Sequence, residues 1–420
     1  MDMEDDQHPM EPLGRDAIIF LPALGVEWTD QSVETMARRL AIAFDRAAER
    51  GASFVAKLGP GETYGSENKN KAAVATISRA DGTTEVPVAD LYGFDYHQTL
   101  TQGIAERNLF LQAMSLVVMI GYSMTRLIRS IVRRRPREDG KRQHSKRATE
   151  VFQLVYGSLV LLLFCAYAGI VVYALIKTLT QVKAFSKGHP GGSLAQAVVV
   201  VVAALGMSLP KVRTALSHAA VDYLGATTYL GFGARRVDIS GRLEALLEHV
   251  AEHQAPAYQR IYFIGYSFGS IVVLDTLFPK GTPAPRRAED IRGLVTIGCP
   301  FDMVRTYWRD YFDGRSRPGG ERSWWNVYSP VDVLSSNFRN DAEDGTPTVG
   351  ITATDTSLEP TKPIENVLYN PSGLDHLSIP GLFALAGLRA HGSYWDDDPD
   401  ADTCLTGVVA RLYAGSPALA

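Results

Sequence analysis

The chain has 420 residues, of which 46% are apolar and 21% charged, and its formal net charge is -4. This composition excludes a disordered, collagen-like or disulfide-scaffold chain, and the slight acidity offers no general basic face for nucleic acid. The three cysteines, Cys165, Cys299 and Cys404, are too far apart to read as a disulfide framework or a paired metal motif.

Asp2, Glu4, Asp5, Asp6 and Glu11 crowd the first positions, the reverse of a secretory signal with its basic start and apolar stretch. Ala17 to Leu21 is a short apolar run that predicts a strand, and Thr29-Asp30 then opens a helical pattern through Met36, Leu40, Ile42 and Phe44. Residues 57 to 72, rich in Gly, Asn and Lys, read as a loop, with 73–77 and 85–90 as short strands after it.

The character then changes for about a hundred residues. A first apolar segment begins at Leu109 and extends through Tyr122 to Val132, with Arg126 and Arg129 in its later half. A second, Val151 to Ile176, has no charged residue in twenty-six positions, more than the ~20 needed to cross a bilayer as a helix. A third, Leu194 to Pro210, is shorter and also uncharged. Residues 126 to 147 between the first two hold ten Lys or Arg against Glu138 and Asp139. Such a run beside apolar helices predicts an inward-facing stretch attracted to anionic headgroups rather than to nucleic acid.

Beyond Pro210 an alternating pattern resumes. A helix with Leu243, Leu246, Leu247 and Val250 on one face leads into a strand at Arg260 to Ile264, a helix at Ile271 to Leu277, and strands at Gly293 to Ile297 and Trp324 to Tyr328. Strands alternating with helices predict one mostly parallel sheet flanked by helices. The domain reading is therefore residues 1–105 and 211–420 as two parts of one α/β domain, interrupted by a membrane-associated helical insert at 106–210.

Between the strand ending at Ile264 and the helix starting at Ile271 lies Gly265-Tyr266-Ser267-Phe268-Gly269, a Gly-x-Ser-x-Gly string. Small flanking residues permit the sharp turn that presents a serine hydroxyl between strand and helix. With that context the chain resembles the α/β-hydrolase superfamily over roughly residues 15 to 100 and 220 to 415. The resemblance implies a nucleophile, then an acid, then a histidine in chain order. Ser267 takes the first role and His391, in the small-residue loop Ala390-His391-Gly392-Ser393, takes the last, with His376 as runner-up. Asp332, after Tyr328-Ser329-Pro330-Val331, takes the acid's place, with Asp302 as the alternative. An oxyanion hole is implied at the amide of Phe268 and at that of Ala23 or Leu24, although Pro22-Ala23 stands where the family often has His-Gly.

One further string, His249-Val250-Ala251-Glu252-His253, fits an H-x-x-E-H metal pattern. No third ligand is identifiable, so a solvated helix face is the preferred reading and no metal or cofactor is expected.

Both parts of one sheet must lie on the same side of a membrane, so the number of crossings must be even. The second and third apolar segments then form a hairpin, the first lies at the interface or packs on the domain, and the enzyme faces the cytoplasm beside the basic run; pairing the first two segments instead would put the enzyme outside. The expectation is thus a membrane-attached esterase or lipase-like hydrolase, with the bilayer as partner and a lipidic or small ester as substrate. An acyltransferase or a non-catalytic scaffold are the alternatives, and oligomeric state is not legible in the sequence.

Overall fold

The computed structural model describes residues 14–25, 30–48, 52–81, 84–104, 210–252, 257–308, 310–338, 362–369, 386–395 and 403–419, together with isolated helical positions between 115 and 169. By internal contacts the chain forms two compact units: 1–95 with 240–301 and 312–420, and 96–239 with 302–311.

The first unit is built on a nine-stranded sheet. Its strands are β1 (Asp16–Leu21), β2 (Ser53–Leu58), β3 (Glu62–Tyr64), β4 (Asn70–Asp81), β5 (Thr84–Gly93), β6 (Ile261–Tyr266), β7 (Ile291–Ile297), β8 (Ser323–Tyr328) and β9 (Glu365–Leu368). They lie in the order β2-β4-β5-β1-β6-β7-β8-β9, with β3 paired to β4. From β5 to β9 every pairing is parallel, whereas β2, β3 and β4 pair antiparallel. β1 and β6 are buried along their whole lengths, which explains their unbroken apolar runs: a parallel strand covered on both faces has no solvent side for polar residues.

One face carries α1 (Asp30–Ala47) and α8 (Cys404–Leu412). Val33, Met36, Leu40 and Phe44 form the buried stripe of α1, joined in the core by Leu405, Val408, Val409 and Leu412 of α8. Their spacing of three and four residues is what places them on one side of each helix, and each fully buried aliphatic side chain contributes roughly 1.5–3 kcal/mol. Phe44 meets Tyr413, just past α8, edge-on at 4.7 Å between ring centres. The helix α5 (Phe268–Leu277) is buried at all ten positions and packs against β1, β6 and β7.

The mostly parallel sheet flanked by helices agrees with the sequence reading, but the segment read as a loop over 57–72 contains the end of β2, all of β3 and the start of β4. β2 and β3 are short or polar, and their pairing with β4 rather than an apolar pattern sets them.

The second unit includes α2 (His97–Thr101) and α3 (Pro210–Phe232), with the first residues of α4 (Ala234–Ala251) and most of α6 (Phe301–Tyr307). A Cβ added to Gly225 of α3 would lie 3.1 Å from the carbonyl oxygen of Leu100, so α2 and α3 pack closely. Tyr122, from the first apolar segment, stacks on Phe232 of α3 at 5.7 Å.

Here the structure corrects the membrane reading. Among the described residues no helix is long and apolar enough to cross a membrane. The helix α3 has the length, but with Asp222, Thr227, Thr228 and several glycines and tyrosines along it the sequence is not apolar enough. The expected two-span hairpin, with the enzyme held on the cytoplasmic face of a bilayer, is therefore not upheld. Only Val155, Ser158, Leu159, Leu162, Cys165 and Gly169 of the run 151–176 are described, and 194–209 lies outside the described residues.

Candidate active site

The site lies wholly in the first unit, at the C-terminal ends of β6, β8 and the strands between and beyond them. β6 ends at Tyr266, and α5 begins at Phe268. The turn between them is one residue, Ser267, at φ 54° and ψ -122°. A side chain at positive φ costs on the order of 1–3 kcal/mol and persists only where its surroundings impose it. The surroundings here are specific. The Ser267 amide donates to the Ile297 carbonyl at the end of β7 (2.7 Å). A Cβ on Gly269 would lie 2.5 Å from the carbonyl oxygens of both Leu21 and Pro22, and one on Gly265 would lie 2.7 Å from the Ser270 Cα. The two glycines of the motif are thus required by close backbone approach, and the result is a serine hydroxyl raised at the C-terminal end of a central strand.

Ser267 Oγ lies 2.6 Å from His391 Nε2. His391 closes α7 (Ala386–His391), and its Nδ1 lies 2.8 Å from Asp332 Oδ2. A carboxylate only accepts, so Nδ1 carries the proton and Nε2 is left to accept from the serine hydroxyl. The Asp332 side chain is fully buried and that of His391 is 13% exposed. Burying a carboxylate is tolerable only if its oxygens are satisfied. Oδ1 accepts from the Leu334 amide (2.9 Å), and Oδ2 accepts from the Tyr394 hydroxyl (2.9 Å) as well as from His391.

The imidazole is also held by its backbone. The Tyr266 hydroxyl donates to the His391 carbonyl at 2.6 Å, and the two rings are nearly parallel with centres 6.0 Å apart. Trp395 sits edge-on to Tyr266 at 5.0 Å. Burial, with the nearby Asp332 charge adding to it, pushes the hydroxyls of Tyr266 and Tyr394 well above the ordinary phenol range, so both stay neutral donors.

Gly298, just after β7, has φ 57°, and a Cβ there would stand 2.9 Å from the Tyr394 ring and 3.2 Å from His391 Cε1. Nothing in the sequence reading singled out Gly298, Tyr266 or Tyr394. The available signals were the glycine closing an apolar strand and the aromatic pair Tyr394-Trp395 three residues after the histidine.

Ala23 and Leu24 occupy the turn after β1, half-buried, and Phe268 is the first, buried residue of α5. The approach of Gly269 to Leu21 and Pro22 puts the two stretches of backbone side by side. The alternative acid Asp302 is buried in the first turn of α6, where its carbonyl accepts from Thr306; His391 is paired with Asp332 instead. His376 lies outside the described residues. In the H-x-x-E-H string, His249 Nε2 is 2.7 Å from Glu62 and Glu252 is 3.2 Å from Arg287, while His253 lies outside the described residues. The two described members of that string thus serve different partners.

Comparison with protein-family models, with curated proteins and with solved structures finds no match to this chain.

Proposed function

We propose that the chain is a serine hydrolase of α/β-hydrolase type that cleaves esters through an acyl-enzyme on Ser267. The single observation that carries this reading is the relay Ser267 Oγ to His391 Nε2 (2.6 Å) and His391 Nδ1 to Asp332 Oδ2 (2.8 Å), built on a serine held at positive φ. Three residues distant in sequence, each at the end of a different strand connection, have no packing reason to converge in this orientation. The family's chain order of nucleophile, acid and histidine, and the position of the nucleophile strand β6 beside β1, lend further support.

In the proposed reaction Ser267 Oγ attacks the ester carbonyl carbon while His391 Nε2 takes the hydroxyl proton, and buried Asp332 stabilises the imidazolium. The carbonyl π electrons move to oxygen. The resulting oxyanion is met by the amides of Phe268 and of Ala23 or Leu24, close to the positive end of the α5 dipole. Collapse of the tetrahedral adduct breaks the bond to the alcohol oxygen, which leaves with the proton from His391. Water then attacks the acyl-enzyme, gives its proton to the same nitrogen, and releases the acid and free Ser267. An acceptor alcohol in place of that water would make the same steps an acyl transfer. A preference for lipidic esters rested on anchorage beside a bilayer and has no basis in the site's geometry.

Labelling with a fluorescent fluorophosphonate tests the proposal. The wild-type protein is expected to label, and Ser267→Ala and His391→Ala are expected to lose labelling while retaining the wild-type fold by circular dichroism. A folded wild-type protein that does not label would count against an activated serine.

A further inference from the structure

Asp332 has a third partner that the relay does not need for its connectivity. Tyr394 is fully buried, its ring packs between Tyr266 and Tyr369, and its hydroxyl touches Asp332 Oδ2, the same oxygen that receives His391. The direction of that hydrogen bond is determined by a second contact. The Ser329 amide lies 3.0 Å from the Tyr394 oxygen. An amide can only donate, so the hydroxyl accepts there and its single proton is directed to the carboxylate.

We propose that Tyr394 is a positioning residue of the Ser267 site, whose hydroxyl fixes the Asp332 carboxylate and weakens its pull on the His391 proton. This rests on the serine-hydrolase reading above. Two donors on one carboxylate oxygen share its charge, so the imidazolium formed during attack is stabilised less strongly than by a carboxylate bonded to histidine alone. The consequence to look for is in the acid limb of the pH–rate profile, which depends on how strongly the carboxylate holds the His391 proton. The other ionisable groups around this cluster are Tyr266 on β6, Tyr369 after β9 and Cys404 on α8, with Arg389 exposed on α7 itself. Tyr266 is held neutral by burial, so Asp332 and His391 are the pair whose charge the hydroxyl adjusts.

The test is the second-order rate constant for fluorophosphonate labelling, followed from pH 5 to 9 in wild type and Tyr394→Phe. The phenylalanine keeps the ring and removes both the donor to Asp332 and the acceptor of the Ser329 amide, the second of which acts on stability rather than on the pH limb. Its acid limb is expected to move up by about half a unit to one unit. Site-specific 3-fluorotyrosine at position 394, a stronger donor of nearly the same size, is expected to move the limb down, and it serves where Tyr394→Phe does not fold. A purely structural hydroxyl would slow labelling equally at every pH and leave the limb where it is, which would overturn the inference while the wild-type labelling still stood. A wild type with no labelling at any pH would overturn both.

Discussion

At the scale of single residues, the site depends on contacts made by atoms that are absent as much as by those present. Gly298 leaves room for the edge of His391 and the ring of Tyr394. Gly298→Ala places a Cβ at a positive-φ position against both, and a displacement of a few tenths of an ångström at the imidazole is enough to spoil its alignment with Ser267. The expected outcome is a fluorophosphonate labelling rate lower by roughly ten- to a hundredfold in a protein that remains folded. Gly269→Ala is expected to act differently, on stability, because its Cβ would collide with the Leu21 and Pro22 carbonyls; a loss of about 1–3 kcal/mol in urea denaturation is the predicted size. Ser267 was legible in the sequence because a short motif had the right strand before it and helix after it, and His391 and Asp332 because chain order and small-residue loops narrow the choices. Tyr394 was not, since a tyrosine three residues after a histidine has no significance until the fold carries both to Asp332.

At the scale of elements, the sheet's centre was legible and its edges were not. β1 and β6 carry unbroken apolar runs because both faces are covered. β9, with Glu365 and Asn366 among its four residues, has no such signature and is held by pairing with β8 and by the bond from Asn326 to Asn366 (2.9 Å). The helix that presents Ser267 is fixed at its far end by an ion pair that composition cannot reveal. Arg315 lies 2.6 Å from Asp275 of α5, with both side chains almost fully buried, and it also donates to the Phe278 carbonyl (2.8 Å). Removing one partner strands the other charge out of water. Arg315→Met is therefore expected to lose about 3–5 kcal/mol of unfolding free energy, and Asp275→Leu/Arg315→Met together much less. Equal losses in the single and double variants would show that the arginine acts through packing rather than charge.

At the scale of the whole molecule, the order of the sheet is the feature furthest from sequence reading, because β1 and β6 are neighbours although more than two hundred residues separate them. The chain was readable as strands alternating with helices, whereas the membrane reading, drawn from apolar runs, a basic run and the parity of crossings, is not matched by any described helix. The sheet's burial also sets how the first unit responds to alkali. Burial holds the Tyr262 hydroxyl up at about 12, and Tyr266, Tyr394 and Tyr413 are raised further for the same reason. Unfolding returns each to its ordinary value near 10. A raised folded-state value means stability that is complete below pH 10 and is lost as pH climbs through the folded values. Denaturation midpoints are expected to fall steeply above pH 10, and less steeply in Tyr262→Phe; a flat profile to pH 12 would contradict the burial of these hydroxyls. The central claim, that Ser267 is a nucleophile activated by His391 and Asp332, is tested most directly by finding where a phosphonyl group becomes attached. After reaction of the folded protein with a fluorophosphonate and proteolysis, peptide mass spectrometry is predicted to place one adduct on Ser267, absent from His391→Ala. An adduct on another residue, or an undiminished one on Ser267 in His391→Ala, would contradict it.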